Sequence, residues 1–338
     1  MKNSFKETVP VFFAADENYM PFLAVTLNSL KKRIAKDRLY KVHVLYSGKL
    51  GKNAGLIRDM QTENLRVEFN DITARMQGIM RLTHCRDYYT SAIYFRLFIP
   101  ELFPQYKKAI YLDCDTVLLE DIGKLYDIPL GSNYIGAVAD PVVAAFPPFV
   151  AYTKNALNID AKRYFNSGVI VMNLDALRAI DFYDVFCRVL GSYDFVVAPD
   201  QDCLNIICKG KVHYFGMAWN TMPLGDRRAR TPKLIHYNLS MKPWHYDNVL
   251  YEDIFWAEAK ETPFYEFIQE KKNSFTPEMA KRDEDGGAKL MELAQAEADN
   301  PNNYFRTVGK NFQIQEKTED GYGFIERFGE KTGTAFSD

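Results

Sequence analysis

The sequence predicts an α/β domain, a mainly parallel mixed sheet flanked by helices, followed by a small C-terminal extension. Three observations carry this. Short runs rich in β-branched and aromatic residues alternate with segments of helical period through the first two thirds of the 338 residues. Alternation of that kind buries a parallel sheet between helical layers. Acidic and amide residues recur just beyond the apolar runs, where open α/β sheets bind their ligands. The composition then changes near residue 273: residues 274–338 hold 13 acidic and 8 basic residues, a net charge of −5, against +3 for residues 1–273.

Taken in order, VPVFFAA (residues 9–15) is a buried-strand candidate, and PFLAVTLNSLKKRI spaces its apolar residues as a helix does. YKVHVLYSG alternates as a strand, NAGLIRDMQTE is helical, and LRVEFND is again a strand. SAIYFRLFIPELF reads as a helix that stops near Pro104, before the strand AIYLDCDTVLL. YIGAVAD, SGVIVMNL, VHYF and KLIHYN are further strand candidates, and Pro199 in APDQDCLNIIC marks a helix start. Beyond residue 273, KRDEDGGAK reads as an exposed break and KLMELAQAEAD as one helix, while residues 316–338 show no periodicity. The chain therefore divides into residues 1–273 and an acidic extension, 274–338, expected to be partly helical or disordered.

Bulk properties exclude several function classes. Hydrophobic residues make up 47% and charged residues 25%, enough to bury a sizeable core. A net charge of −2 argues against general nucleic-acid binding, which needs a basic excess. No apolar run approaches the ~20 residues of a membrane span. VPVFFAA is too short for the apolar region of a signal peptide and runs into Asp16 and Glu17. The cysteines, Cys85, Cys114, Cys187, Cys203 and Cys208, are odd in number and form no C-x-x-C. Reduced thiols in a cytoplasmic protein are expected, not a disulfide framework or zinc site.

Five polar constellations could carry chemistry. Asp113 and Asp115 close an apolar strand, where residues two apart point to one side. Burying carboxylates is costly without a partner. Two hard oxygen donors suit Mg²⁺ or Mn²⁺, ions that bridge to phosphates. Alone, D-x-D also caps turns, as Asp121 would for the next helix. His236, in LIHYNLSMKPW, would add a nitrogen and tilt the set towards Mn²⁺. Lys242 in the same loop is a compact charge able to stabilise a leaving phosphate. A structural histidine and a solvated lysine are the plainer alternatives. In APDQDCLNIIC, Asp200 and Asp202 suit a helix first turn, which leaves Gln201 unexplained. Asp16, Asn18 and Tyr19 could hydrogen-bond and stack on a nucleobase. Asn166, Ser167 and Gly168 form a polar turn ahead of a strong strand.

Together, and in this order, FAADENY, SAIYFRLFIPELFP, YLDCDTVLLEDI, FNSGVIVMNL, PDQDCLN and LIHYNLSMKPW resemble the glycosyltransferase family 8 enzymes. The resemblance spans residues 9 to about 245. It implies a GT-A nucleotide-sugar-binding domain that moves a hexose, glucose or galactose, from a UDP-sugar to an acceptor hydroxyl with retention. By motif, Asp113, Asp115 and His236 would hold Mn²⁺, with Mg²⁺ as the second choice. Ala15, Asp16, Asn18, Tyr19, Arg96, Asp113, Cys114, Asn166, Asp200, Gln201 and Lys242 would bind the donor. Within that set, Tyr19 would stack on uridine, and Asn166, Asp200 and Gln201 would read the sugar hydroxyls. Gln201, Asp200 and Lys242 would serve catalysis, with Lys242 neutralising the departing phosphate. The acceptor would be a surface glycan or lipid-linked saccharide, reached with at most peripheral contact at the inner membrane face, and a homo-oligomer is left open. Cys114, between the aspartates, would face away and pack.

Two departures from the family pattern stand out. The loop commonly reads His-x-x-Gly-x-x-Lys-Pro-Trp, and Leu239 holds the glycine position here. The tail is acidic where a basic, aromatic membrane-docking tail is usual, so repulsion from an anionic leaflet is expected. GDRRARTPK, with Arg227, Arg228, Arg230 and Lys233, is the better anionic-surface candidate, a solvated loop being the alternative. Two other readings remain: a UDP-sugar-binding scaffold or self-glycosylating primer, and a nucleotidylyltransferase. FFAADENYM lacks the glycines of the latter's phosphate loop.

Overall fold

Val9, Val11, Phe12 and Phe13 are wholly buried, so VPVFFAA can only be a strand covered on both faces. Phe12 points to one layer, where it stacks on His43 at 4.7 Å, while Val9, Val11 and Phe13 enter the core on the other side. The computed structural model describes residues 5–79, 91–225, 231–318 and 321–324. Its strands are β1 (Thr8–Ala14), β2 (Leu39–Tyr46), β3 (Leu65–Asp71), β4 (Lys108–Leu112), β5 (Thr116–Leu118), β6 (Ile135–Ala139), β7 (Phe165–Asn173), β8 (Val212–Tyr214), β9 (Leu234–His236), β10 (Gln315–Thr318) and β11 (Gly321–Phe324). Seven of them form the central sheet in the order β3-β2-β1-β4-β7-β6-β8. Neighbours pair in parallel except β7, which runs antiparallel to β4 and β6. The expected mixed, mainly parallel sheet flanked by helices is therefore present.

Several local expectations need correction. SAIYFRLFIPELF is not one α-helix: a 3₁₀ stretch, Ser91–Phe98, gives way to a short α-turn, Ile99–Leu102. Pro100 explains this, since it offers no N–H and its ring opposes the carbonyl four residues back. Asp113 and Asp115 lie past the end of β4, in the turn to β5. Asn166, Ser167 and Gly168 sit inside β7 rather than before it. Asn205 holds the start of that strand, bonding the Phe165 N–H (2.8 Å) and carbonyl (2.9 Å). KLIHYN contributes only β9, which pairs antiparallel with β5 outside the main sheet. Of the basic loop, Arg227, Arg228 and Arg230 lie outside the described residues, as does Cys85. Cys114, Cys203 and Cys208 are buried and form no disulfide among the described residues, and Cys187 is half-buried.

KRDEDGGAK is no break either, but the middle of one helix, Pro277–Asp299. Thr276 caps it by accepting the Met279 N–H (3.3 Å), and Pro277 opens its first turn. Lys281 pairs with Glu284 (3.1 Å) and Asp285 (2.9 Å) on the solvated face. The other face carries Ala294 and Ala298, both buried, which let the helix approach Pro147–Ala156 closely. Tyr304 and Ile314 extend the same core, and β10 and β11 form an antiparallel hairpin after it. No helix among the described residues is long and apolar enough to cross a membrane.

This packing makes a test. Ala294→Asp places an unpaired carboxylate where a methyl group is fully buried, and is expected to lower stability by about 2 kcal/mol or more. Glu284→Ala on the solvated face is expected to stay within about 0.5 kcal/mol. Urea unfolding of both variants checks the contrast.

Candidate active site

The aspartate pair and His236 meet through strand pairing. β5 begins one residue after Asp115, and its Thr116 lies opposite His236 in β9. The Tyr237 N–H donates to the Asp115 carbonyl (2.9 Å), and the Asp113 N–H donates to the Gly168 carbonyl (2.8 Å). One ligand atom from each of Asp113, Asp115 and His236 falls within 4.8 Å of the others. His236 Nε2 stands 3.2 Å from Asp115 Oδ1 and 3.8 Å from Asp113 Oδ2. Asp115 Oδ1 is buried and makes no hydrogen bond among the described residues. A Cβ on Gly168 would come within 2.4 Å of both Asp113 Oδ2 and His236 Cε1, so only glycine leaves this cradle open. Two carboxylates and one imidazole, with an orphaned oxygen at their centre, fit a divalent cation.

Lys242 closes the other side. Its ammonium contacts the Asp115 Oδ2 and the Tyr237 carbonyl. Burial works against the Asp115 charge, but the Lys242 ammonium beside it outweighs this and holds the carboxyl below the usual range. The Lys242 ammonium also lies 5.5 Å from the Trp244 ring centre, and Trp244 stacks on Phe22 at 3.9 Å. Phe22 in turn meets Tyr19 edge-on (5.6 Å) at the end of β1, where Tyr19 as a whole residue is 38% exposed. Asp16 accepts the Tyr19 N–H (3.0 Å) and Asn18 is exposed beside it. Ala15 is buried, its N–H donating to the Leu45 carbonyl (3.1 Å). Cys114 packs as expected, its Sγ 3.2 Å from the Ala14 carbonyl.

Arg96 joins the pair to a second polar group. It is 3% exposed, bonds the Ser167 carbonyl and Asp113 Oδ1 (3.3 Å), and faces Asp200 Oδ2 at 3.6 Å. Its guanidinium lies 4.3 Å from the centre of the Tyr111 ring, whose hydroxyl donates to Asp113 Oδ1 (2.9 Å). Burial pushes the Asp200 carboxyl up to about 6, although Arg96 opposes this. Beside it, Gln201 Oε1 accepts the Ser167 N–H (2.8 Å) and its Nε2 donates to Asp140 Oδ2 (3.3 Å). Asn166 Nδ2 donates to the same Asp140 oxygen (3.2 Å). Asp202 turns away: both its oxygens accept tyrosine hydroxyls, from Tyr164 (2.7 Å) and Tyr152 (2.8 Å).

A cavity of about 200 Å³ opens over this floor. Arg96, Asp113, Asp140, Asn166, Asp200 and Gln201 give it polar lining, while Val142, Phe149, Leu239 and Leu290 are apolar. Leu290 comes from the Pro277–Asp299 helix. Ala15, Asp16, Asn18, Tyr19, Cys114 and Lys242 are not among the lining residues. Two participants escaped the sequence reading. Asp140 ends YIGAVAD as Asp16 follows VPVFFAA, so strand-end position was the available signal. Asn220, in a 3₁₀ turn, accepts from His236 Nδ1 (3.0 Å) and donates to Asn166 Oδ1 (3.0 Å). Nothing in the sequence marks it.

Two tests follow from these local states. Burial pushes the Asp202 carboxyl up to about 7, against hydrogen bonds from both tyrosines. The folded chain thus keeps a proton that the unfolded chain releases near pH 4, so this group's stability contribution is present at low pH and lost as pH rises towards about 7. Asp202→Asn is expected to flatten the decline in unfolding free energy across that window, read by urea titrations of metal-free protein; an unchanged slope contradicts it. Leu239 adopts φ +56° and is 55% exposed. Left-handed backbone costs a branched residue about 1–2 kcal/mol, and glycine returns about 0.5–1 through its unfolded-state entropy. Leu239→Gly is therefore expected to raise stability by about 0.5–1 kcal/mol in the same assay.

Comparisons with known proteins agree with this geometry. Residues 10–248 match Glycosyl transferase family 8. General stress protein A of Bacillus subtilis is 25% identical over 263 residues, covering 71% of this chain and 88% of that protein. Lipopolysaccharide 1,2-glucosyltransferase of Escherichia coli K12 is 29% identical over 259 residues, covering 71% and 73%. Among solved structures, the galactosyltransferase LgtC in complex with donor and acceptor sugar analogues superposes with a TM-score of 0.65 at 25% identity, over 75% of this chain and 96% of that one. The WbbM bifunctional glycosyltransferase superposes at 0.70 with 27% identity, over 81% of this chain but only 53% of the WbbM chain. With a GT-A sheet, an Asp-x-Asp turn and a family match over residues 10–248, this chain belongs to glycosyl transferase family 8.

Proposed function

We propose that this protein is a retaining hexosyltransferase that moves glucose or galactose from a UDP-sugar to an acceptor hydroxyl on a surface glycan or lipid-linked saccharide. The observation that carries the reading is the joining of a three-ligand cation site to a polar, sugar-sized floor through one buried arginine, Arg96. The names of the lipopolysaccharide glucosyltransferase and of LgtC with its sugar analogues support the substrate class. Asp113, Asp115 and His236 would hold Mn²⁺, with Mg²⁺ as the second choice. When bound there, the cation supplies Lewis-acid neutralisation of the diphosphate.

The chain's own residues divide the remaining work. Asp16, Asn18 and Tyr19 receive the uridine at the end of β1, the tyrosine by stacking. Ala15 and Cys114, whose side chains are committed to packing, act there through their main chains. Lys242 brings a charge against the departing β-phosphate in a site that excludes much of the water, where such a charge is worth several kcal/mol. Arg96, Asn166, Asp200 and Gln201 read the sugar hydroxyls, and the apolar lining by Val142 and Phe149 suits the C–H faces of a pyranose.

Retention is best supported by attack on the same face. The bond from C1 to the UDP oxygen breaks, the acceptor oxygen bonds C1 from that side, and the acceptor proton passes to the departing phosphate. Asp113 and Asp115 are assigned to the cation, Asp140 caps a short helix and Asp200 faces Arg96, while Gln201 Oε1 already accepts the Ser167 N–H (2.8 Å), which leaves it a poor nucleophile.

A panel of UDP-sugars, assayed for hydrolysis and calorimetric binding with and without Mn²⁺, tests the reading. UDP-glucose or UDP-galactose should be turned over only with metal. Asp115→Asn should lower the rate by about a hundredfold or more, roughly 2.7 kcal/mol of barrier. If no UDP-sugar is bound or turned over, the proposal fails.

A further inference from the structure

His236 is useful to a cation only if its Nε2 carries a lone pair, and the surrounding amides determine whether it does. The determination starts at the main chain. The Gly168 N–H donates to Asn166 Oδ1 (3.0 Å), and a backbone N–H cannot reverse its role. Asn166 is thereby oriented, and its Nδ2 points at Asp140 Oδ2 (3.2 Å), a carboxylate at the N-terminus of a short helix. Asn220 Nδ2 donates to the same Asn166 Oδ1 (3.0 Å), which turns Asn220 Oδ1 towards His236 Nδ1 (3.0 Å). A carboxamide oxygen only accepts, so Nδ1 must be the protonated nitrogen. Nε2 faces Asp115 Oδ1 at 3.2 Å, and that oxygen makes no hydrogen bond among the described residues. In the singly protonated ring Nε2 then carries the lone pair, and a lone pair and an orphaned carboxylate oxygen aimed at one point is the arrangement a cation completes.

We propose that Asn220 is a positioning residue: it holds His236 as the Nδ1–H form and so ties the cation site to Asn166, which stands at the sugar floor. Asn220 is wholly buried; it accepts from the imidazole and donates to Asn166 Oδ1, the oxygen that the Gly168 main-chain N–H also reaches. The inference rests on the metal-site reading above, yet the protonation of Nδ1 can be read without any metal. If Asn220 is lost, the obvious alternative is for His236 to place its proton on Nε2 and donate to Asp115, which spoils both as ligands.

Long-range ¹⁵N–¹H spectra of the metal-free protein report which His236 nitrogen carries the proton, and Mn²⁺ titration followed by electron paramagnetic resonance reports affinity. In the wild type Nδ1 should be protonated. Asn220→Leu, which removes both bonds, should move the proton to Nε2 and weaken Mn²⁺ binding about 10–100-fold, as loss of an outer-shell partner does. Asn220→Asp keeps an acceptor for Nδ1–H but gives up the donor to Asn166. It should hold Mn²⁺ close to wild-type affinity and raise the KM for the UDP-sugar. A wild-type His236 with bare Nδ1, or an Asn220→Leu protein of unchanged affinity, overturns the proposal. If Asn220→Leu does not fold, the wild-type spectrum and Asn220→Asp still decide. A wild type that binds no Mn²⁺ but shows Nδ1–H defeats the metal reading and leaves the tautomer assignment standing.

Discussion

Four carboxylates, Asp113, Asp115, Asp140 and Asp200, share one floor; main-chain and amide N–H groups satisfy Asp140, and the other three are gathered around built-in positive charge. Arg96 does most of this. Its burial alone would favour loss of the charge, but Tyr111, Asp113 and Asp200 outweigh that and bind the proton more firmly than usual. Geometry suits the task, since a planar fork can bond the Ser167 carbonyl and Asp113 while facing Asp200 from one position. Lys242 does the same for Asp115 from the opposite side. A buried ion pair of this kind adds little net stability against an apolar replacement. Its presence is therefore better explained by what the floor must hold than by what the fold needs. The 3₁₀ stretch Ser91–Phe98 is where the fold accommodates it, with the Arg96 Nε bonded to the Ile93 carbonyl (3.1 Å) one turn back.

The hydrophobic pattern made most of the sheet legible. VPVFFAA, YKVHVLYSG, YIGAVAD and SGVIVMNL are apolar runs of strand length, and each is a strand because both faces of this sheet are covered. The members of the site were legible for a different reason: acids at strand ends are expensive unless they bind something. That logic reached Asp16, Asp113 and Asp115, and applied evenly it would have reached Asp140 too. It could not reach Asn220, whose part depends on which way an amide is turned, a property of three-dimensional hydrogen bonding that no residue type announces. Nor could it reveal that Lys242 rests on Asp115, since their contact depends on β5 and β9 pairing across more than a hundred residues. The misread segments failed for local reasons. Pro100 interrupts a pattern that otherwise reads as helical, and the two glycines of KRDEDGGAK look like a break until Ala294 and Ala298 anchor the helix that contains them.

Leu239 stands where the motif has glycine, and its backbone takes the left-handed conformation that a glycine adopts freely. The loop leading to Lys242 thus carries a conformational cost, and Leu239 places an apolar side chain in the lining of the cavity.

The C-terminal segment adds to that lining. Every charged group of the floor lies between Arg96 and Lys242, inside the stretch matched by the family, residues 10–248. Leu290, by contrast, enters the cavity from the Pro277–Asp299 helix, beyond the match. The same helix touches the lysine-bearing loop, where the Tyr246 hydroxyl donates to Asp283 (2.9 Å), and it packs through Ala294 and Ala298 on Pro147–Ala156, which supplies Phe149 and Tyr152 to the lining. The residues that manage ions therefore all lie within the matched stretch, whereas the apolar side of the cavity is shared: Val142, Phe149 and the strained Leu239 come from that stretch, and Leu290 closes over them from a helix outside it.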